Sequence, residues 1–449
     1  MTKLRFAPTL IIALTCTFGW SQTAPTVASA NPLSATDQQI EALQTAVKKA
    51  PAYTTYDALG AAFLQKARET GDITFYDLAE RTLDQSLELV PQDFRSVGPL
   101  VHIGLVCMGE HRFSQALSYA QKAISFGSGN LAAFALEGDA YTDLGDYTDA
   151  RSAYEALRTL GQATSPPLEL AYMLDSRMAY LSFLQGDSAE SLRLMNSAIT
   201  AALQTRQPRE NLAWLYFESG ERYFQGGDLA NAERAYSAGI QADPNHYRSL
   251  AGLAKVRAAQ GKLDESIQLY QRSLAVIPFP VYVAELGDGY RKTGRLKEAQ
   301  QQYDLVEYIG HLSELNQVLE NRELALFYAD HDIKLPEALN FARAELKVRH
   351  DIYTWDALAW TLYKNGRFTE AAAAMKNALN LNTNDPMLLF HAGMIHHGLG
   401  DDAAAEELLK SALKSNPSFQ LLSADVASQT LAEIARAHNR ELRSSNAPK

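Results

Sequence analysis

Cysteine is almost missing from this chain: Cys16 and Cys107 are the only two in 449 residues. Two thiols cannot build a disulfide framework or an all-cysteine zinc site, and paired-cysteine redox chemistry is excluded with them. Positive charge is also short. Lys and Arg number 41 against 52 Asp and Glu, for a net charge of −11 and a pI near 5.5. A nucleic-acid binder would carry a basic footprint, and none is present. No apolar run reaches the ~18 residues that a membrane-spanning helix needs. The sequence has no Gly-x-Ser-x-Gly, no His-Glu-x-x-His, no phosphate-cradling glycine loop and no dinucleotide fingerprint. Sustained alternation of period two is absent as well, which removes strands from the reading. What is present is an apolar fraction of 47%, ample for a core.

Residues 1–30 read as an export signal. Lys3 and Arg5 give a positive start, and Leu10 to Phe18 form an apolar stretch too short to span a bilayer. Ala28, Ser29 and Ala30 put small residues at the −3 and −1 positions of a cleavage site. Cleavage there removes Cys16 and leaves Cys107 as a single thiol, in a periplasmic or secreted protein stable without disulfides. The alternative is a lipid anchor on Cys16, against which Thr15 stands where Gly, Ala or Ser is expected.

Residues 31–52 read as a linker and a first helix, and beyond them the sequence repeats. Gly138-Asp139-Ala140-Tyr141 is followed by Leu144-Gly145-Asp146-Tyr147, then Ala150 and Tyr154. The same spacing returns in Gly220-Glu221-Arg222-Tyr223, Gly226-Gly227-Asp228, Ala232, Tyr236 and Pro244. It returns again in Gly393, Leu399-Gly400-Asp401, Ala405 and Pro417. These words resemble the tetratricopeptide repeat, with a small residue at position 8, glycine at 15, alanine at 20, a bulky residue at 24 and proline at 32. In that register units begin at 97, 131, 172, 213, 247, 280, 319, 352 and 386. Position 20 is Ala or Ser in all nine, and position 15 is Gly in seven.

A distorted unit lies upstream, around Tyr56, Leu59-Gly60, Ala79 and Pro91. The expected architecture is all-α: a right-handed superhelical solenoid of about ten helix-turn-helix units over 53–419. A capping helix over 420–443 and a disordered tail at 444–449 follow. Glycine at position 15 suits a left-handed residue ending the first helix of a unit. Asp146, Asp187, Asp228 and Asp401 stand where a carboxylate caps the second. Tyr154, Tyr236, Tyr270 and Tyr303 are expected to fill the gap to the next unit, and Cys107 falls at a buried helix position.

Longer words sharpen the resemblance. Ala67-Arg68-Glu69-Thr70-Gly71-Asp72, Glu210-Asn211-Leu212-Ala213-Trp214, Leu324 to His331, Asp356 to Trp360 and Leu389 to Ile395 look like a group of bacterial exported or membrane-associated multi-repeat proteins. That likeness implies the same fold and compartment.

In tetratricopeptide proteins ligands lie along the concave face formed by the first helices, at positions 2, 5, 9, 12 and 13. The expected site residues are Trp214, Phe217, Phe224, Arg248, Lys255, Arg291, Lys292, Tyr353, Trp360, Tyr363 and Lys364. Aromatic and basic side chains interleave there on an acidic protein, which predicts a protein or peptide partner of acidic character. The carboxylate clamp of some cytosolic relatives is excluded, because no unit has Asn at position 9. His391, His396 and His397 share one helix at spacings of five and six, poorly suited to one metal, and Asp330-His331-Asp332 forms a second polar cluster. A metal- or cofactor-handling accessory protein using these histidines, or a surface-assembly factor, are the alternatives. The repeats leave no block for a catalytic domain, and no cofactor, nucleic acid or catalytic residue is expected.

Overall fold

The computed structural model describes residues 34–127, 129–315 and 321–445, and every regular element among them is helical. The export signal with Cys16, and residues 446–449 of the tail, lie outside the described residues. A first helix, α1 (Ala35–Lys49), precedes ten helical hairpins. They are α2 (Tyr53–Thr70) with α3 (Thr74–Glu88), α4 (Val97–Gly109) with α5 (Phe113–Ser125), and α6 (Leu131–Leu144) with α7 (Tyr147–Thr164). Then come α8 (Pro167–Leu184) with α9 (Ser188–Gln204), α10 (Arg209–Gln225) with α11 (Leu229–Ala242), and α12 (Tyr247–Ala259) with α13 (Leu263–Leu274). The last four are α14 (Pro280–Lys292) with α15 (Leu296–Leu315), α16 (Asn321–Asp330) with α17 (Leu335–Glu345), α18 (Ile352–Lys364) with α19 (Phe368–Ala378), and α20 (Pro386–Gly398) with α21 (Asp402–Ser415). A long helix, α22 (Ser423–Ser445), packs on α21 and α20.

The irregular intervals in the repeat register go into helix length rather than loops. Helices α7 to α10 run 17 or 18 residues and α15 runs 20, against 12 or 13 for α12, α13 and α14. Each hairpin closes over its small position-20 residue; Ala150, Ala232, Ala371 and Ala405 are fully buried. The Tyr236 ring fills the space between Gly220 and Gly252, where any added Cβ would collide with it. Asp187, Asp228 and Asp401 cap their helices through backbone N–H groups of Glu190, Asn231 and Ala404. Asp146 corrects the sequence reading: its side chain makes no capping bond. Cys107 is fully buried, and burial pushes its thiol up to about 11, so it is no nucleophile at neutral pH.

The feature that organises the molecule is the meeting of successive superhelical turns. The His350 N–H donates to the Leu144 carbonyl at 2.8 Å, and the Ile352 N–H to the Tyr147 hydroxyl at 3.0 Å. One hairpin further along, Asn384 Nδ2 donates to the Gly186 carbonyl at 3.2 Å. One further still, Asn416 Nδ2 donates to the Phe224 carbonyl at 2.7 Å. The third hairpin thus meets the ninth, the fourth meets the tenth, and the fifth meets the segment before α22. The offset is six hairpins each time. Gly145, Gly186 and Gly227 end their helices with positive φ, and a Cβ on any of them would lie 2.6 Å from backbone atoms of His350, Asn382 or Ser415. The equivalent Gly366 and Gly400 face open space.

Arg349 sits at the centre of this seam, only 3% exposed. Its Nε lies 2.5 Å from Glu345 and 3.5 Å from Asp351, and its guanidinium covers the Phe113 ring at 5.1 Å. One apolar cluster runs through the contact, joining Leu157, Leu184 and Leu215 to Leu339, Ile352 and Leu388.

Two glycine substitutions separate backbone conformation from docking. Gly366→Ala should cost roughly 1–2 kcal/mol through its left-handed backbone alone. Gly227→Ala should cost roughly 1–3 kcal/mol more, because a rigid backbone stands where the new methyl would go. Urea unfolding measures both, and equal losses would show that the turns do not touch in solution.

Candidate functional site

The first helices of the hairpins form the inner wall of the superhelix, and their charged groups follow one rule. A carboxylate accepts a tyrosine hydroxyl from its own hairpin and a cation from the next. Asp139 accepts from Tyr154 at 2.8 Å and from two nitrogens of Arg177 at 2.7 and 2.8 Å. Glu221 accepts from Tyr236 at 2.6 Å and from Lys255 at 2.6 and 2.8 Å. Asp288 accepts from Tyr303 at 2.9 Å and from His331 at 2.9 Å. Asp57 with His102, at 2.6 Å, and Asp356 with His391, at 2.9 Å, are simpler members of the set. Burial works against the charge of Glu221, but Lys255 and Tyr236 outweigh it and hold the carboxyl below its usual range.

Two inner-wall histidines have pKa values shifted in opposite directions. His331 places Nδ1 2.8 Å from the Phe327 carbonyl and Nε2 2.9 Å from Asp288. Both neighbours are acceptors, an arrangement that favours the doubly protonated, cationic ring. Burial opposes that charge; the hydrogen bond and the charge of Asp288 overcome it and raise the pKa. His246 instead accepts the Ser249 N–H through Nδ1 to cap α12, and burial beside Arg248 lowers its pKa to about 3.

The residues expected from the sequence fall into three groups. Phe224, Lys255 and Lys292 converge on a cavity of about 250 Å³ between α10, α12 and α14 and residues 418–425. Trp360, Tyr363 and Lys364 form a stack with His391. Trp360 is 4% exposed and lies between the His391 ring at 4.1 Å and the Tyr363 ring at 5.0 Å. Its Nε1 donates to Asp330 at 2.7 Å, and the Lys364 ammonium stands 5.2 Å from its ring centre. The others stand apart. Trp214 is 38% exposed, Phe217 is buried against Tyr236, and Arg248 covers the Tyr247 and Phe279 rings. Tyr353 donates to Asp385 at 3.2 Å, and Arg291 is exposed at the end of α14.

Lys255, Lys292 and Lys364 are neutralised within the chain, by Glu221, Asp425 and Asp332. Glu285, Asp330 and Asp385 form no ion pair among the described residues, and burial raises the pKa of all three, that of Glu285 to about 7. Sequence reasoning passed over Glu285 and Phe419 and gave Tyr270 a packing role alone; with Asp288, a first-helix position it did place on the inner face, they complete the cavity. The fifteen-residue spacing of Asp139 and Tyr154, Glu221 and Tyr236, and Asp288 and Tyr303 was the available signal.

His396 and His397 pair separately with Asp401 at 3.1 Å and Asp402 at 2.7 Å, while His391 faces Asp356. Among the described residues no three or more His, Cys, Asp or Glu side chains converge as metal ligands would.

The two histidines shape the pH profile of stability in opposite ways. The raised pKa of His331 stabilises the fold below about pH 6.5, and that contribution disappears as pH rises through the folded value. The lowered pKa of His246 stabilises the fold above about pH 6.5, and that contribution fades as pH falls toward 3. Unfolding free energies of wild type minus His331→Gln should therefore decline with rising pH, and wild type minus His246→Gln should increase. A flat difference curve for either variant removes its assignment.

A family model described as tetratricopeptide repeat matches residues 217–279 and 357–418. The CTR9 homologue of Arabidopsis thaliana is 34% identical over 89 residues, covering 19% of this chain and 8% of that protein. Tetratricopeptide repeat protein 8 of Caenorhabditis elegans is 26% identical over 216 residues, 47% of this chain and 42% of that protein. The chain therefore spans less than half the length of either relative. Among solved structures, yeast Tom70 aligns at 12% identity and a TM-score of 0.40, over 89% of this chain and 92% of its own. Cut9 with Hcn1 aligns at 14% identity and 0.32, over 90% and 96%. YrrB aligns at 18% identity and 0.28, over 44% and 94%. With the repeat register and the ten stacked hairpins, the family match makes this chain a tetratricopeptide-repeat protein.

Proposed function

We propose that this protein is an exported, non-catalytic scaffold that binds a protein or peptide partner along the inner face of its superhelix. The observation that carries this reading is the cavity between α10, α12, α14 and residues 418–425, where Phe224, Lys255 and Lys292 meet around open space. Trp214, at the start of α10, adds an exposed aromatic of the kind that anchors interfaces. Ion pairing on the inner wall changes the expected charge of the partner. The lysines that suggested an acidic segment already hold carboxylates, whereas Glu285, Asp330 and Asp385 form no close ion pair among the described residues and keep raised pKa values. A segment carrying basic residues fits that wall better than an acidic one.

Export rests on Lys3, Arg5, the apolar stretch and the small residues ending at Ala30. No helix among the described residues is long and apolar enough to cross a membrane. Fractionation of cells expressing the chain with and without residues 1–30 tests export: retention of both forms in the cytoplasm rejects it.

Partner binding is tested by affinity capture from an envelope extract. Trp214→Ala combined with Ala259→Phe, which narrows the cavity, should lose a protein that wild type retains, at unchanged melting temperature. If a correctly folded double variant captures the same proteins, the inner face is not the binding surface.

A further inference from the structure

The cavity that supports the inner-face reading has a chemistry of its own, and the inference below rests on that reading for its location only. Its apolar wall is built by Phe224, Ala258, Leu263, Phe419 and Ala424. Its ionisable lining is Lys255, Glu285, Asp288, Lys292 and Asp425. Four of these five are matched. Lys255 is held by both oxygens of Glu221, Asp288 by His331 and Tyr303, and Lys292 pairs with Asp425.

Glu285 is the remaining one. Its Oε2 accepts the Tyr270 hydroxyl at 2.9 Å, and no bond to Oε1 is formed among the described residues. An ionised carboxylate offers about four acceptor sites, so Glu285, half-buried at the cavity wall, can take further donors.

We propose that the cavity is a binding site for a primary ammonium group carried on a short apolar chain, with the ammonium against Glu285 and the chain between Phe224 and Phe419. The ammonium supplies hydrogen-bond donors and a cation of its own to Glu285, whose nearby Lys255 is already held by Glu221. An anion would meet Glu285, Asp288 and Asp425 while both lysines are already engaged. A neutral hydrocarbon would fill the space but leave the carboxylate without a counter-ion, which low-dielectric surroundings penalise. Burial holds the Glu285 pKa near 7, so the empty site is partly protonated at neutral pH. Ammonium binding displaces that proton and therefore strengthens as pH rises through 7, until the amine itself deprotonates above pH ~10. The same chemistry is offered by a free alkylamine and by a lysine side chain of a bound peptide.

Calorimetry on the full chain at pH 7.5 with hexylammonium, 1-hexanol and hexanoate tests the proposal. Saturable binding is expected for hexylammonium alone, with proton release visible as a heat that changes with the buffer. Glu285→Gln keeps a partner for Tyr270 and should weaken binding by about tenfold or more, the scale of a hydrogen bond to a charged group. Ala258→Phe should weaken it with Glu285 intact, which separates filling of the cavity from loss of charge. Thermal melting confirms that each variant folds.

The source of the amine is read by competition. An acetylated Gly-Gly-Lys-Gly-Gly amide that displaces hexylammonium assigns the site to a lysine side chain, and one that does not assigns it to a free amine. Binding of hexanol or hexanoate as tight as that of hexylammonium, equal binding to Glu285→Gln, or no binding of hexylammonium overturns the proposal. Partner capture by wild type and by the Trp214→Ala, Ala259→Phe variant is a separate measurement, so loss of amine binding with that capture result intact leaves the inner-face reading standing.

Discussion

The close approach of one superhelical turn to the next is the constraint on which the rest of this molecule depends. Stacked helical repeats ordinarily touch only their sequence neighbours, and their stability is close to a sum of local terms. Here His350, Asn384 and Asn416 reach backbone carbonyls six hairpins away, across sequence separations of 206, 198 and 192 residues. Those bonds require backbone to approach backbone, which is why Gly145, Gly186 and Gly227 are both left-handed and unable to accept a side chain. Contacts of such long range couple hairpins that would otherwise open one at a time.

The inner wall inherits a second constraint from the same winding. Bringing charged side chains to the inside of a narrow coil desolvates them, and buried charges persist only when paired and hydrogen-bonded. The chain meets this by linking a tyrosine, a carboxylate and the next hairpin's cation, as in Tyr154, Asp139 and Arg177. The surface left for a partner is consequently defined by exceptions. Trp214 is exposed, and Glu285 has no cation of its own.

Much of the fold was legible because it is periodic. Ala or Ser at position 20 in all nine regular units and glycine at 15 in seven of them mark the hairpins by local sterics, and the long intervals differed only in becoming longer helices. The seam was not legible. It depends on small rotations summed over six hairpins, and no local word in the sequence encodes that sum. The role of glycine at position 15 illustrates the difference: its left-handed backbone could be anticipated from the residue, its neighbour in the next turn could not. The site was legible in part for the same reason. Helix register placed Phe224, Lys255 and Lys292 on one wall, but the charge of that wall depends on partners such as Asp425, 133 residues from Lys292. Asp146 resembled its three capping counterparts in spacing alone, and its side chain is not used that way.

An offset fixed at six has a consequence for how such a chain can change length. In an open array a duplicated or deleted hairpin shifts everything beyond it and disturbs little. In this one, a deletion between the third and ninth hairpins would bring Gly145 opposite the wrong junction and move Arg349 away from Phe113. Insertions and deletions are therefore tolerable only outside the overlapping stretch, at the ends, so that a protein made of repeats behaves toward gain and loss of units like a single indivisible domain.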